Sequence, residues 1–243
     1  VTDDFDTTSK DINKSSLKKK VKFGKNVLVG KNVKIGKNCS IGHNSIIEKN
    51  VIIGNNCSIG SNVIIRNTII NNNVHILDGC VIGKKGFGFF PDKNSNYRYP
   101  QIGIVIINDN AEIGCGSTID RGSMSNTIIG KNTYLDNQVH IAHNVKIGKG
   151  CLLTAGFAIA GSAEIGDYCT FAGQVGVAPH LKVGDRSIVA SKSGITKSLK
   201  GGKVYAGFPA REITDYKKRE ALISEVGRLR QKLDALIQAN MKH

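Results

Sequence analysis

The chain has no tryptophan and only 6% aromatic residues, so any core it builds must be aliphatic. It has four prolines against 28 glycines, which excludes a proline-rich or collagen-like chain. No apolar run approaches the length of about 18 residues that a transmembrane helix needs. The opening stretch, VTDDFDTTSKDINKSS, is polar and lacks the apolar centre of a secretory signal, so the expected location is cytoplasmic. Val1 stands where a methionine is usual, as in a trimmed or partial chain. There is no CxxC among the six cysteines. Cys39 and Cys57 lie 18 residues apart, as do Cys151 and Cys169. They read as small apolar residues at repeat positions rather than as disulfide partners.

What the sequence does have is a period. From Val21 it divides into sixes: VKFGKN, VLVGKN, VKIGKN, CSIGHN, SIIEKN, VIIGNN, CSIGSN. The frame is interrupted, resumes at Val105, slips around Ser123–Asn126, and runs on from Thr127. The third position of each six is apolar, from Phe23, Val29 and Ile35 through Ile141 and Ile147 to Ile195. One aliphatic side chain in six fits neither an amphipathic helix nor a two-faced strand. It fits a chain that turns a corner every six residues, with glycine or asparagine taking positive φ there. Such hexapeptides mark parallel β-helices. Three short strands close one coil of 18 residues, and coils stack about 4.8 Å apart. The expected domains are a polar tail over residues 1–20, a β-helix over 21–205 and a helical extension over 206–243.

Two segments depart from the period. Residues 84–104 carry five of the fourteen aromatic residues, and a long loop leaving a regular solenoid is more often functional than decorative. From Asp215 a helical pattern begins. Leu222, Val226, Leu229, Leu233 and Leu236 follow the spacing of an a/d seam, which either packs on its own chain or associates with other copies.

The 18-residue coil acts as a ruler. Position 143 plus 18 is Gly161, and plus 36 is Pro179, beside His180. His143, Gly161 and His180 therefore fall along one edge of the prism. A histidine is the usual general base near neutrality. Backbone N–H groups at a glycine corner, or a second histidine, can hold a developing oxyanion. Asp136 is a carboxylate able to fix the base's tautomer, but Asp136 and Asn137 lie one corner earlier and reach His143 only if the turn bends back. His140 occupies an outward second position and faces substrate or solvent. His43 and His75 have no such company and read as surface residues. The pair His140–His143 has HxxH spacing, not the HxxxxH of zinc-dependent carbonic anhydrases with this repeat, so no metal site is expected.

Several motifs occur together and in order: GFGF at 86–89, PQIG at 100–103, STIDRG at 117–122, DNQVHIAHNVKIG at 136–148, AIAGSAEIGDY at 158–168 and GFPAR at 207–211. In combination they resemble the UDP-3-O-acylglucosamine N-acyltransferases of lipid A synthesis, within the hexapeptide acyltransferases. The resemblance implies an all-β, left-handed parallel β-helix with a C-terminal α-helix, assembled as a homotrimer with active sites between neighbours. It implies transfer of a 3-hydroxyacyl group from acyl carrier protein to the 2-amino group of UDP-3-O-(3-hydroxyacyl)glucosamine. His143 would be the base, and Asp136 and Asn137 would support it and the acceptor. The Gly161 N–H and His180 would hold the oxyanion, while Gly86 and Phe87 would line the cleft near a neighbouring subunit. No metal or resident cofactor is implied, since phosphopantetheine arrives on the carrier protein.

The chain also departs from that family. Its repeats begin by residue 21, where family members carry a preceding domain of roughly a hundred residues that helps hold uridine and sugar. Lys85 replaces an acid before GFGF, and Asn108 replaces a repeat glycine. The net charge of +15 would attract an acidic carrier protein or simply keep the surface soluble. The lysines are scattered through GKN corners without a nucleic-acid motif, so no nucleic-acid partner is expected. Related sugar-nucleotide O-acyl- or N-acetyltransferases, and a weakly active trimeric scaffold, are the competing readings.

Overall fold

The structure, a computed structural model, describes residues 20–240. The expected tail falls almost wholly outside them. From Val21 the hexapeptides form two- and three-residue strands that stack in parallel, giving a solenoid of about ten turns with three flat faces. The first face begins with Val21–Phe23, the second with Leu28–Val29 and the third with Lys34–Ile35. Register follows the 18-residue ruler through most of the stack: Val21 pairs with Cys39, His140 with Ala158, and Lys146 with Glu164. The last parallel strand, Val204–Ala206, pairs with Ile188–Val189 and antiparallel with Arg211–Glu212.

Side chains at the first and third positions of each six point inward. Val51, Ile53, Cys57, Ile59, Val145 and Ile147 are all buried, and Phe157 and Phe171 stack obliquely at 5.0 Å inside the prism. The six cysteines are free thiols, and five are buried at first positions as the spacing predicts. Cys115 differs. It sits at the fifth position of its hexapeptide and is exposed.

The corners divide their work between two positions, and the expected positive φ falls at the sixth, most often on asparagine and, at Gly79, Gly116, Gly150 and Gly156, on glycine. The left-handed residue is the sixth of the hexapeptide: Asn26, Asn32, Asn38, Asn44 and Asn56 all lie at φ of 55–61°. Their amides stack along the edges, Asn38 Nδ2 donating to Asn56 Oδ1 and Asn56 Nδ2 to Asn73 Oδ1. The fourth-position glycine answers a different need. A Cβ on Gly42 would sit 2.5 Å from the Gly60 carbonyl carbon of the next coil, so this corner has no room for a side chain, although other fourth positions carry one, such as Glu48 and Thr154.

Three irregularities fall at one edge, between the second and third faces. One residue is missing near Asn67, so Ile53 pairs with Ile70 at an interval of 17. The next coil carries the 84–104 loop, and the coil after it carries the extra residues around Ser123–Asn126, giving Ile119 with Ile141 at an interval of 22. The loop contains its own antiparallel hairpin, Phe89–Pro91 with Asn96–Arg98. At the C-terminus a single helix, Ile213–Asn240, begins two residues before the expected Asp215. Its seam is uncovered in the single chain, with Leu222, Val226, Leu229, Leu233 and Leu236 each 57–64% exposed.

Candidate functional site

Directly below the two insertions, on the same edge, the next coil turns at His143. The ring is half-buried and lies between two glycines. On one side is Gly86 of the loop, where a Cβ would come within 2.8 Å of His143 Cβ and 2.9 Å of Cδ2. On the other is Gly161 of the following coil, where a Cβ would come within 2.6 Å of Cε1 and 2.7 Å of Nε2. Nδ1 is buried and hydrogen-bonds to nothing among the described residues. A buried ring nitrogen is costly to leave unpaired, which sets this ring apart from the paired imidazole of His140.

The backbone at this corner also carries open donors, as it does at Lys131 and Gly173. Elsewhere a fifth-position N–H is commonly capped by the fifth-position side chain one coil on. Lys37 N–H donates to Asn55 Oδ1, Ser61 N–H to Asp78 Oδ1 and Lys149 N–H to Asp167 Oδ1. In the site this column reads His143, Gly161, Pro179. Neither glycine nor proline offers an acceptor side chain, and the N–H groups of His143 and Gly161 have no acceptor among the described residues. An open donor beside an imidazole is the arrangement an oxyanion needs.

His180 lies on the same edge, as the ruler predicts, one position further round the turn. It holds the left-handed sixth position at φ 59°, its N–H donates to the Gly161 carbonyl at 3.1 Å, and it is exposed. His140 stands on the second face above Ala158, outward as expected. A cleft of about 380 Å³ joins His140 and His143 and is lined by Phe87, Ala160, Gly161 and Gly176, among others; His180 lies outside this lining. Phe87 is 85% exposed and meets Phe89 edge-on at 5.0 Å. Phe87 thus borders the cleft of its own chain, while Gly86 is buried against His143 beside it.

Asp136 and Asn137 are not brought to His143 within one chain. They are exposed on the edge between the first and second faces. The Asp136 carboxylate accepts the N–H groups of Asn137 and Ala155, and Asn137 Oδ1 accepts that of Cys115. The turn does not bend back, because these side chains are engaged in capping their own edge.

Sequence reasoning missed a buried polar group beside the cleft. Asp120, inside the STIDRG motif, has a side chain only 1% exposed and is ion-paired to Lys84 at the root of the loop. Its other oxygen lies 3.9 Å from His140 Nε2, while His140 Nδ1 is 2.7 Å from Thr118 Oγ1. Both ring nitrogens of His140 therefore face fixed groups, in contrast to the unpartnered Nδ1 of His143. The signal available was Asp120 itself, a carboxylate following an inward isoleucine. No three His, Cys, Asp or Glu side chains converge among the described residues.

Comparison with known proteins agrees with the repeat and the fold. The bacterial transferase hexapeptide model (six repeats) matches residues 14–49, 32–67 and 126–156. Over 75 residues the chain is 52% identical to the UDP-3-O-acylglucosamine N-acyltransferase of Rhizobium rhizogenes and 51% identical to that of Agrobacterium fabrum. Each match covers 31% of this chain and 21% of the relative. Among solved structures, the UDP-N-acetylglucosamine acyltransferase of Francisella novicida superposes with a TM-score of 0.71 at 27% identity. That superposition covers 82% of this chain and 73% of the other. The enzyme of that name from Campylobacter jejuni, at 23% identity, TM-score 0.70 and coverage of 79% and 73%, shares the fold. The chain is thus built of the hexapeptide repeats found in bacterial transferases, on a solenoid shared with solved UDP-N-acetylglucosamine acyltransferases.

Proposed function

We propose that the chain is an acyltransferase of lipid A synthesis that moves a 3-hydroxyacyl group from acyl carrier protein to the 2-amino group of UDP-3-O-(3-hydroxyacyl)glucosamine. The observation that carries this reading is the His143 corner, an imidazole with an unpartnered buried nitrogen beside the uncapped Gly161 N–H. The 52% identity to a named N-acyltransferase supports the choice of acceptor.

In the reaction the acceptor nitrogen attacks the thioester carbonyl while His143 takes a proton from that nitrogen. The carbonyl oxygen becomes an oxyanion, and the Gly161 N–H, with His180 on the same edge, stabilises it. Collapse breaks the C–S bond, and the leaving thiol of the carrier takes the proton back from His143. His140, held by Thr118 and the Lys84–Asp120 pair, borders the acceptor. No metal or resident cofactor enters these steps. The active form is a cytoplasmic homotrimer, supported by the uncovered seam of the C-terminal helix. In it the exposed Asp136–Asn137 edge faces a neighbour's cleft while its side chains keep the caps of their own edge. The basic surface guides the acidic carrier protein.

A second reading has its own support. The Francisella novicida structure is of a UDP-N-acetylglucosamine acyltransferase, so O-acylation of UDP-N-acetylglucosamine is the competing activity. Purified chain with 3-hydroxyacyl carrier protein and each acceptor in turn separates the two by mass spectrometry. An amide formed on UDP-3-O-acylglucosamine supports the first reading. An ester on UDP-N-acetylglucosamine alone replaces it with the second, and acyl transfer to neither removes both.

A further inference from the structure

One flank of the His143 ring comes from the solenoid, through Gly161. The other comes from Gly86, which belongs to the inserted loop and needs its own fastening. We propose that Arg98 is a positioning residue that fastens Gly86 against His143 and so fixes the plane of the imidazole used for proton transfer. This deepens the reading of His143 as the base and rests on it.

Arg98 ends the second strand of the hairpin, twelve residues after Gly86. Its Nη1 donates to the Gly86 carbonyl at 2.5 Å. Its Cζ stands 4.3 Å from the centre of the Phe89 ring. The guanidinium therefore ties the two ends of the GFGF segment at once: a hydrogen bond to its first residue and a cation–π contact to its last. A planar fork suits this double task. A lysine can supply the hydrogen bond but not the flat stacking surface. Gly86 is buried by the arrangement, and its Cα lies close enough to His143 that a single added carbon would collide with the ring.

The far end of the loop is pinned separately. Arg121 Nε donates to the Gly103 carbonyl at 2.7 Å, and the N–H groups of Ile102 and Gly103 both donate to the Ser123 carbonyl. At the near end Lys84 is paired with Asp120. Loss of Arg98 should therefore release Gly86 without freeing the whole insertion. The imidazole would then rock on Gly161 alone. A misplacement of about 1 Å costs a proton-transfer geometry heavily, and a partial loss of alignment is expected to lower kcat by about tenfold while leaving KM unchanged.

The test compares wild type, Arg98→Met and Arg98→Lys in the intact chain, with two readouts. One is the nuclear Overhauser effect between the Gly86 α-protons and the His143 ring proton on Cδ2, assigned with His143→Gln. The other is steady-state acyl transfer, split into kcat and KM. The proposal expects a strong contact in wild type, its loss in Arg98→Met with the tenfold fall in kcat, and partial recovery of both in Arg98→Lys. A persisting contact in Arg98→Met overturns it, as does a lost contact with wild-type kcat. If wild type transfers no acyl group yet the contact depends on Arg98, the clamp stands and the acyltransferase reading falls.

Discussion

Replacing Gly161 with alanine should damage chemistry far more than folding. The new Cβ would lie 2.6 Å from His143 Cε1, 2.7 Å from Nε2 and 3.1 Å from Nδ1. Ordinary carbon contacts begin near 3.5 Å, so the ring must shift by about 1 Å. Gly86 blocks retreat on the other side, leaving rotation of the ring out of its plane. A displacement of that size at a reacting group costs about a hundredfold in rate, or roughly 2.7 kcal/mol of transition-state stabilisation. Folding should suffer little, because the obstruction is a movable side chain facing a cleft. Two other glycines calibrate the result. In Gly148→Ala the Cβ would meet the Gly166 carbonyl at 2.5 Å, backbone against backbone, so Tm should fall sharply. In Gly227→Ala, on the C-terminal helix with nothing within 4 Å, both Tm and kcat should be kept or slightly improved. Calorimetry and acyl-transfer kinetics on the three variants decide the matter. Gly161→Ala with wild-type kcat would refute the placement of the base, and Gly161→Ala melting like Gly148→Ala would make that glycine a stacking residue only.

Stability should also fall in alkali. Burial pushes the Cys57 and Cys80 thiols up from 9.0 to about 11. Between those values the unfolded chain has lost protons that the folded chain keeps, so unfolding becomes easier as pH rises, by up to roughly 3 kcal/mol for each thiol. Urea midpoints at pH 8 and pH 10.5 should diverge less in a Cys57→Ala, Cys80→Ala double variant than in wild type; equal divergence would count against it. Charges placed in the helix seam, Leu229→Glu with Leu233→Glu, should turn a trimer into smaller species by light scattering. A monomeric wild type would end the trimer proposal.

The frame was readable because each hexapeptide repeats one physical instruction, an inward aliphatic residue followed by a tight corner. With the frame came the ruler, and the ruler placed His143, Gly161 and His180 on one edge without side-chain information. The ruler fails where the frame breaks, and the missed parts lie there. Arg98 sits inside the insertion, and Asp120 pairs with Lys84 on the adjacent coil at an interval of 36, where the ruler would read two coils. The convergence of three irregularities on a single edge was available from counting alone, by asking which corner each one interrupts. The division of labour at the corners was not. Positive φ at Asn and close approach at Gly both read as turn residues in sequence, and only the stacked backbone separates them. Asp136 and Asn137 were legible as polar groups near the base in sequence, but their hydrogen bonds to the neighbouring coil's N–H groups are long-range facts.

The most direct test of the account is a single-turnover comparison of wild type and His143→Ala, with 3-hydroxyacyl carrier protein and UDP-3-O-acylglucosamine at saturating enzyme. With His143 as the base, amide formation should slow by about 10²–10⁴-fold while the folded solenoid persists by circular dichroism. An unchanged rate in His143→Ala would contradict the central claim and leave this corner without a catalytic role.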